Sequence, residues 1–259
     1  SNALLPACAL EVALALTQGD VASAPTFSLL TAGAPLSTGA AHAGPWGLAR
    51  SARAEASLLL QCIDASLPSA LGRLVPLTEP EAVALHDRHL VPRLAHAPQV
   101  TELHAPTTRE PHLVTGGTSG LGLLTARWLA QRDARALALA SRSGALARDA
   151  TGEWEQLQAT DVSALAQRCD TAEAAHVQRL IARSQGARCV WHAAGVLADA
   201  LLPTQAAGGL ARSYAPKVCG TWSLHRACAP SPLRTCALFS AVAALLGGAG
   251  QANYSAANT

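Results

Sequence analysis

Methionine is absent from this 259-residue sequence, and aromatics are few: two Phe, two Tyr and five Trp. Charge is scarce as well. Asp, Glu, Lys and Arg make up 14% of the chain, the net charge is +2, and no Lys/Arg cluster stands out. Nucleic acid is therefore not an expected partner. No apolar run reaches the ~20 residues of a membrane span, so no membrane partner is expected. The seven cysteines are Cys8, Cys62, Cys169, Cys189, Cys219, Cys228 and Cys236. Their number is odd and none form a Cys-x-x-Cys pair, which argues against zinc and against a disulfide framework. They are expected to be small buried residues in a reducing compartment, the cytoplasm. The nine His lack metal-ligand spacing, so no metal is expected either. Residues 1–3 read as an expression scar, and no signal peptide follows them.

What is present is apolar. Half the residues are hydrophobic, enough for a sizeable core. In the second half, His112 to Thr115 reads as a buried strand, followed by a Gly-rich turn. A helix comes next, with apolar residues at Leu121, Leu124, Trp128 and Leu129. Further strands are expected at 134–144, 164–170, 187–195 and 234–243, with helices between them, for example Ala172 to Ser184. Strands alternating with helices imply a parallel sheet covered on both faces, a Rossmann-like doubly wound α/β fold. The first half is less regular. Strands are expected at 25–34 and 57–66, helices at about 7–18 and 44–55, and paired strands over 79–98. The Pro/Thr-rich stretch 98–111 marks a boundary. The expected organisation is residues 4–105 as one subdomain and 106–259 as another.

Thr115-Gly116-Gly117-Thr118-Ser119-Gly120-Leu121-Gly122 follows a strand and opens a helix. Glycines there let the backbone approach a pyrophosphate, and a helix N-terminus offers free N–H groups and positive partial charge. The second strand ends in Ser141 and Arg142, where a reader of NAD would place an acid. A guanidinium suits a ribose 2′-phosphate, so NADPH is the expected cofactor. Arg142 could equally be a solvated surface charge. Asp170 ends the third strand, where it could accept from an adenine amino group. Ala193, Ala194 and Gly195 end the fourth, small enough for a nicotinamide to lie close.

The pieces "VTGGTSGLG", "SRSG", "RCD", "HAAGVLAD", "YAPKVCGTWSLH" and "FSAVAALLGGAGQANYSAAN" together resemble the ketoreductase domain of modular type I polyketide synthases. That family lies within the short-chain dehydrogenase/reductase superfamily. "GPWGLARSARAE", "CID" and "VALHDRHLVPRL" resemble the structural subdomain that precedes the catalytic one, a truncated Rossmann-like unit. The resemblance implies reduction by NADPH of a β-ketoacyl group carried on the phosphopantetheine arm of an acyl carrier protein, beside neighbouring synthase domains. It implies that Tyr254 donates a proton to the carbonyl oxygen, that Lys217 supports it, and that Asn258 places Lys217 or a water. Alone, Tyr254 would read as an ordinary core or surface tyrosine. Leu197-Ala198-Asp199 keeps the last Asp of the family's B-type fingerprint, and Leu246 stands where A-type members carry Trp. B-type members give the D-hydroxyl product.

Two departures matter. The family's catalytic serine aligns with Ala241, and Ser240 beside it is expected to point to the opposite strand face. Members also continue beyond the position of Thr259 with a helix, strands and a substrate lid, a region expected to be missing here. The alternative is therefore a catalytically impaired, structural reductase-like module. A short-chain dehydrogenase outside polyketide assembly is a third reading, opposed by the "WGLAR" segment.

Overall fold

The computed structural model describes residues 4–19, 27–33, 42–56, 59–65, 78–85, 88–96, 110–184, 186–231 and 233–259. They group into two compact units: 1–98 with 197–214 and 240–259, and 99–196 with 215–239. The expected break at 105/106 lies outside the described residues.

The second unit is built on β5 (His112–Thr115), β6 (Ala136–Ser141), β7 (Ser163–Arg168), β8 (Cys189–His192) and β9 (Thr235–Leu238). All pair in parallel, in the order β7-β6-β5-β8-β9. Successive β5 residues serve opposite faces. Leu113 packs with Val177 and Leu180 of α5 (Ala174–Arg183) and Leu224 of α7 (Gly220–Cys228). Val114 packs with Leu123, Ala126 and Leu129 of α3 (Gly120–Ala130) and Leu157 of α4 (Thr151–Gln158). Both faces are thus covered, and the doubly wound sheet read from the sequence is borne out. Its order reverses at β5, the point outside which such sheets bind ligands.

Two details differ from the sequence reading. On α3, Leu121 and Leu124 are exposed, and the buried face is Gly122, Leu123, Ala126 and Leu129. The helix is apolar nearly all round, so hydropathy could not fix its rotation. The fifth strand stops at Leu238, and the chain turns into α8 (Val242–Leu246) with Ala241 as its N-cap. A run of Ala, Val and Leu suits either element.

The first unit holds α1 (Leu4–Gln18), α2 (Ala43–Ala56) and the strands β1 (Phe27–Thr31), β2 (Leu60–Ala65), β3 (Glu81–Ala84) and β4 (His89–Leu90). β1, β2 and β3 are parallel and β4 is antiparallel at the edge. It also holds α6 (Ala207–Tyr214), α8 and α9 (Ala252–Asn258). Its core joins Leu10 and Leu14 of α1, Trp46, Leu48, Ala49 and Ala52 of α2, and Ala252 and Ala256 of α9. Glu81 receives both Arg50 and Arg53 of α2, a partly buried cluster that ties α2 to β3.

Six cysteines are described. Four are buried, Cys219 is half-buried and Cys236 is exposed, against the expectation that all are buried. Cys8 has no described side chain. Among the described residues no group of acidic, His and Cys side chains could hold a metal, and no helix is long and apolar enough to cross a membrane.

Candidate active site

The glycine turn forms as its sequence demands. Gly116 has φ +70°, and a Cβ there would lie 2.8 Å from the Ala194 nitrogen. The close approach of β5's end to Ala193 and Ala194 thus requires glycine. Gly122 packs so tightly that a Cβ would sit 2.2 Å from the Gly116 oxygen. Gly120, at φ +46°, is different: a Cβ there would meet nothing within 4 Å. Its backbone opens on free space at the first turn of an eleven-residue helix. Ser119, the N-cap, makes no side-chain capping bond. A cradle of this kind fits a dinucleotide pyrophosphate. Thr115 and Thr118 are buried, and Gly117 packs against Leu139.

At the end of β6, the Ser141 oxygen and hydroxyl both accept from Gly144 N–H, shaping the turn that carries Arg142. Arg142 is exposed and makes no ion pair among the described residues. Asp170 is half-buried; its Oδ1 accepts from the Ala172 N–H at 3.0 Å, leaving Oδ2 for another donor.

Lys217 lies on a π-helical turn, Ala215–Cys219, just before α7. It is only 8% exposed and makes no ion pair among the described residues. Its Nζ donates to the Phe239 carbonyl at 2.7 Å, and burial pushes its pKa down. Gly195 leaves room for the stem: a Cβ there would lie 3.0 Å from Lys217 Cε. Lys217 is also the chain's only lysine, a signal legible in the sequence.

In the first unit, α9 carries half-buried Tyr254 and Asn258 one turn apart. Asn258 Nδ2 donates to the Tyr254 carbonyl at 2.9 Å. Its Oδ1 is buried and accepts from no described group. Ser240 Oγ donates to the Asn258 carbonyl at 2.7 Å, so that hydroxyl is already engaged. Ala241 is extended, with φ −140° and ψ 147°. Asp199 is exposed and accepts from Gln251 Nε2 at 3.3 Å; Leu197 and Leu246 are exposed too. The structure thus groups Tyr254, Asn258, Ala241, Leu197, Asp199 and Leu246 in the first unit. Lys217, the glycine turn, Ser141, Arg142, Asp170, Ala193, Ala194 and Gly195 belong to the second.

Several residues that hold the site were missed in the sequence. Asn253 is fully buried. It donates to the carbonyls of Ala198 (2.6 Å) and Gly209 (3.4 Å) and accepts from the Tyr254 N–H at 2.6 Å. The Glu55 carboxylate accepts from the Leu202 and Gly250 N–H groups at 2.5 and 2.8 Å. Ser51 bonds Ser255 Oγ at 2.7 Å, and Arg50 donates to the Ala244 carbonyl at 2.6 Å. A polar Asn inside a run of small residues was a readable cue; the Glu55 partners had none. Two clefts of the second unit, about 350 and 420 Å³, are lined by none of the expected site residues.

Comparison with known proteins gives the family of the chain. A family model described as KR domain matches residues 111–259. "Chalcone synthase cfoA" of Aspergillus candidus is 34% identical over 230 residues, covering 83% of this chain and 8% of that protein. "Polyketide synthase GfsB" of Streptomyces halstedii is 35% identical over 231 residues, covering 84% and 4%. A solved "A1-type ketoreductase" superposes with a TM-score of 0.86 at 30% identity, covering 96% of this chain and 57% of that one. The chain therefore spans under a tenth of these curated relatives and little over half of that solved structure.

Proposed function

From the premise that the chain belongs to the KR-domain family of polyketide synthases, whose members are NAD(P)-dependent reductases, we propose that it reduces a β-ketoacyl group to a β-hydroxyacyl group. The substrate would be carried on the phosphopantetheine arm of an acyl carrier protein, beside neighbouring synthase domains. The observation that carries this reading is Lys217. A lysine with no acid partner among the described residues, buried and held at Phe239 by a backbone carbonyl, has a desolvation cost that a purely structural residue need not bear.

NADPH is the proposed cofactor. The glycine turn and the first turn of α3 would hold its pyrophosphate, and Arg142 its 2′-phosphate. When bound it supplies the hydride. The chain's own residues supply the rest. Tyr254 donates its phenol proton to the carbonyl oxygen, and the Lys217 ammonium favours the resulting tyrosinate. Asn258, with its orphaned buried Oδ1, accepts from a water that feeds the proton back. Ala241 offers no hydroxyl to the developing oxyanion and Ser240 is committed to Asn258, which leaves Tyr254 as the donor and a reduced rate as the expectation. Asp199 and Leu246 favour the B-type, D-hydroxyl product. The cytoplasm is the proposed compartment.

The test is oxidation of NADPH, and of NADH, with a simple β-ketoacyl thioester or a model cyclic ketone, followed by chiral analysis. No turnover in this protein or in Ala241→Ser would favour the second reading, a structural reductase-like module. The missing hydroxyl at 241 is the observation that supports that reading.

A further inference from the structure

We propose that His192 is a positioning residue: it fastens the turn that carries Lys217 to the strand that feeds the glycine loop. The role rests on the reading that Lys217 serves the reduction, and His192 touches no reacting atom. His192 ends β8, directly opposite Thr115 of β5 in the sheet register. Both are buried, at 1% and 0% exposure. One ring nitrogen, Nε2, lies 2.9 Å from the Pro216 carbonyl. A carbonyl only accepts, so Nε2 carries the proton and donates. The other, Nδ1, must then accept, and the Thr115 hydroxyl donates to it at 2.6 Å. Partner chemistry alone therefore fixes the tautomer.

A buried histidine satisfied at both nitrogens is often just a core residue. The partner decides otherwise here, because Pro216 is the residue immediately before Lys217 on the π-helical turn. Such turns are uncommon and cluster at functional sites. Pro216 has no N–H to give an ordinary helical ladder. Two further contacts fix the same turn. Thr221 Oγ1 donates to the Lys217 carbonyl at 2.6 Å. A Cβ on Gly220 would lie 2.8 Å from Thr171 Oγ1 and 3.1 Å from His192 Cε1, so glycine there lets the imidazole reach in. The backbone of Lys217 is thus held from His192 and Thr221, and its ammonium from Phe239.

The chain's single lysine makes the test direct. Protein grown with ¹³C-lysine gives one Hε–Cε resonance, whose pH titration reads Lys217 without any need for turnover. His192→Gln keeps an N–H donor at the reach of Nε2. His192→Asn ends at the reach of Nδ1 and leaves Pro216 without its donor. The expected result is that the Gln variant retains the parent's Lys217 resonance. The Asn variant should shift it and raise the Lys217 pKa from its burial-lowered position back towards the ordinary lysine range. Unchanged titration in the Asn variant, or equal shifts in both, would overturn the role. If neither variant folds, Gly220→Ala supplies the same readout, since its methyl presses on the imidazole; an unmoved resonance there overturns the role as well. A shifted resonance in a protein that reduces nothing would support the positioning and count against the reductase reading alone.

Discussion

Restoring a hydroxyl with Ala241→Ser should do two separable things. Ala241 is the N-cap of α8; its backbone is extended and its carbonyl already accepts from the Ala244 N–H at 3.0 Å. A serine fits that backbone without strain, and its Oγ can accept from an orphan N–H of the first turn. Such a cap is worth about 1 kcal/mol, or roughly 2–4 °C in Tm for a chain of about this size. The second effect is catalytic. One donor to a developing oxyanion is worth on the order of 10²–10³ in kcat, about 3–4 kcal/mol. Accepting from a backbone N–H leaves the hydroxyl proton free, so the two effects are compatible. The assay is NADPH oxidation with a β-ketoacyl thioester, paired with thermal unfolding and calorimetric titration of the cofactor. Turnover should rise by that factor with NADPH affinity unchanged, since the hydroxyl serves the carbonyl and not the phosphates. A higher Tm without a gain in kcat would refute the reasoning: the serine would be a cap only, and the chemistry would be lost elsewhere.

Tyr254→Phe should abolish residual reduction while cofactor binding survives, because the phenol proton is needed only as the oxygen gains charge; turnover equal to the parent's would remove Tyr254 from the role of acid. Arg142→Ala should erase most of the preference for NADPH over NADH in calorimetric titrations, and equal affinities in the parent would already sink the assignment. Gly47→Ala should lower stability by about 1–3 kcal/mol, since its Cβ would lie 2.2 Å from Thr259 Oγ1 and 2.5 Å from the Ser255 carbonyl; an unchanged urea midpoint would mean that α2 and α9 yield to each other freely. Burial first, and the Lys217 charge after it, hold the His192 pKa down at about 4 against an ordinary 6.5, with the Pro216 bond pulling the other way. The unfolded chain therefore takes up a proton through that window while the folded one does not, and about 3 kcal/mol of stability, present above pH 6.5, drains away as the pH falls towards 4. The stability gap between the parent and His192→Gln should narrow over the same range; parallel pH profiles would count against it.

The second unit was legible because its punctuation is strong. Three of its strands lead into a residue type the position demands: Gly116 at the left-handed turn after β5, Ser141 at the start of another after β6, and Gly195, beyond β8, where Lys217 needs room. What was misread was rotation and extent. Hydropathy cannot say whether Leu121 or Leu123 faces the sheet. The tight packing of Gly122 on the Gly116 carbonyl decides it, and that is a three-dimensional fact. The fifth strand was drawn too long because Ala241 is indeed extended, although it caps a helix instead of continuing a ladder. Ser240 was expected to be excluded by strand alternation. It is engaged instead by a hydrogen bond to the Asn258 carbonyl, which has no sequence signature.

The first half of the chain gains its meaning from α9. Seven residues, "ANYSAAN", are far too few for a helix that stands alone in water, where even good formers need about 12–15. Helix α2 supplies what α9 lacks. Gly47 and Ser51 lie one turn apart on α2, the first admitting the Ser255 backbone and the second bonding its hydroxyl. One turn further, Glu55 holds the N–H groups of Leu202 and Gly250, on the loops that precede α6 and α9. Arg50, on the same helix, holds the last turn of α8 and is itself anchored by Glu81 on β3. The Tyr254 helix is therefore positioned by a glycine, a serine, a carboxylate and a guanidinium, all contributed by residues 47–55. A segment that reads as catalytically inert fixes where the phenol stands. Substitutions along α2 should accordingly change turnover before they change cofactor affinity.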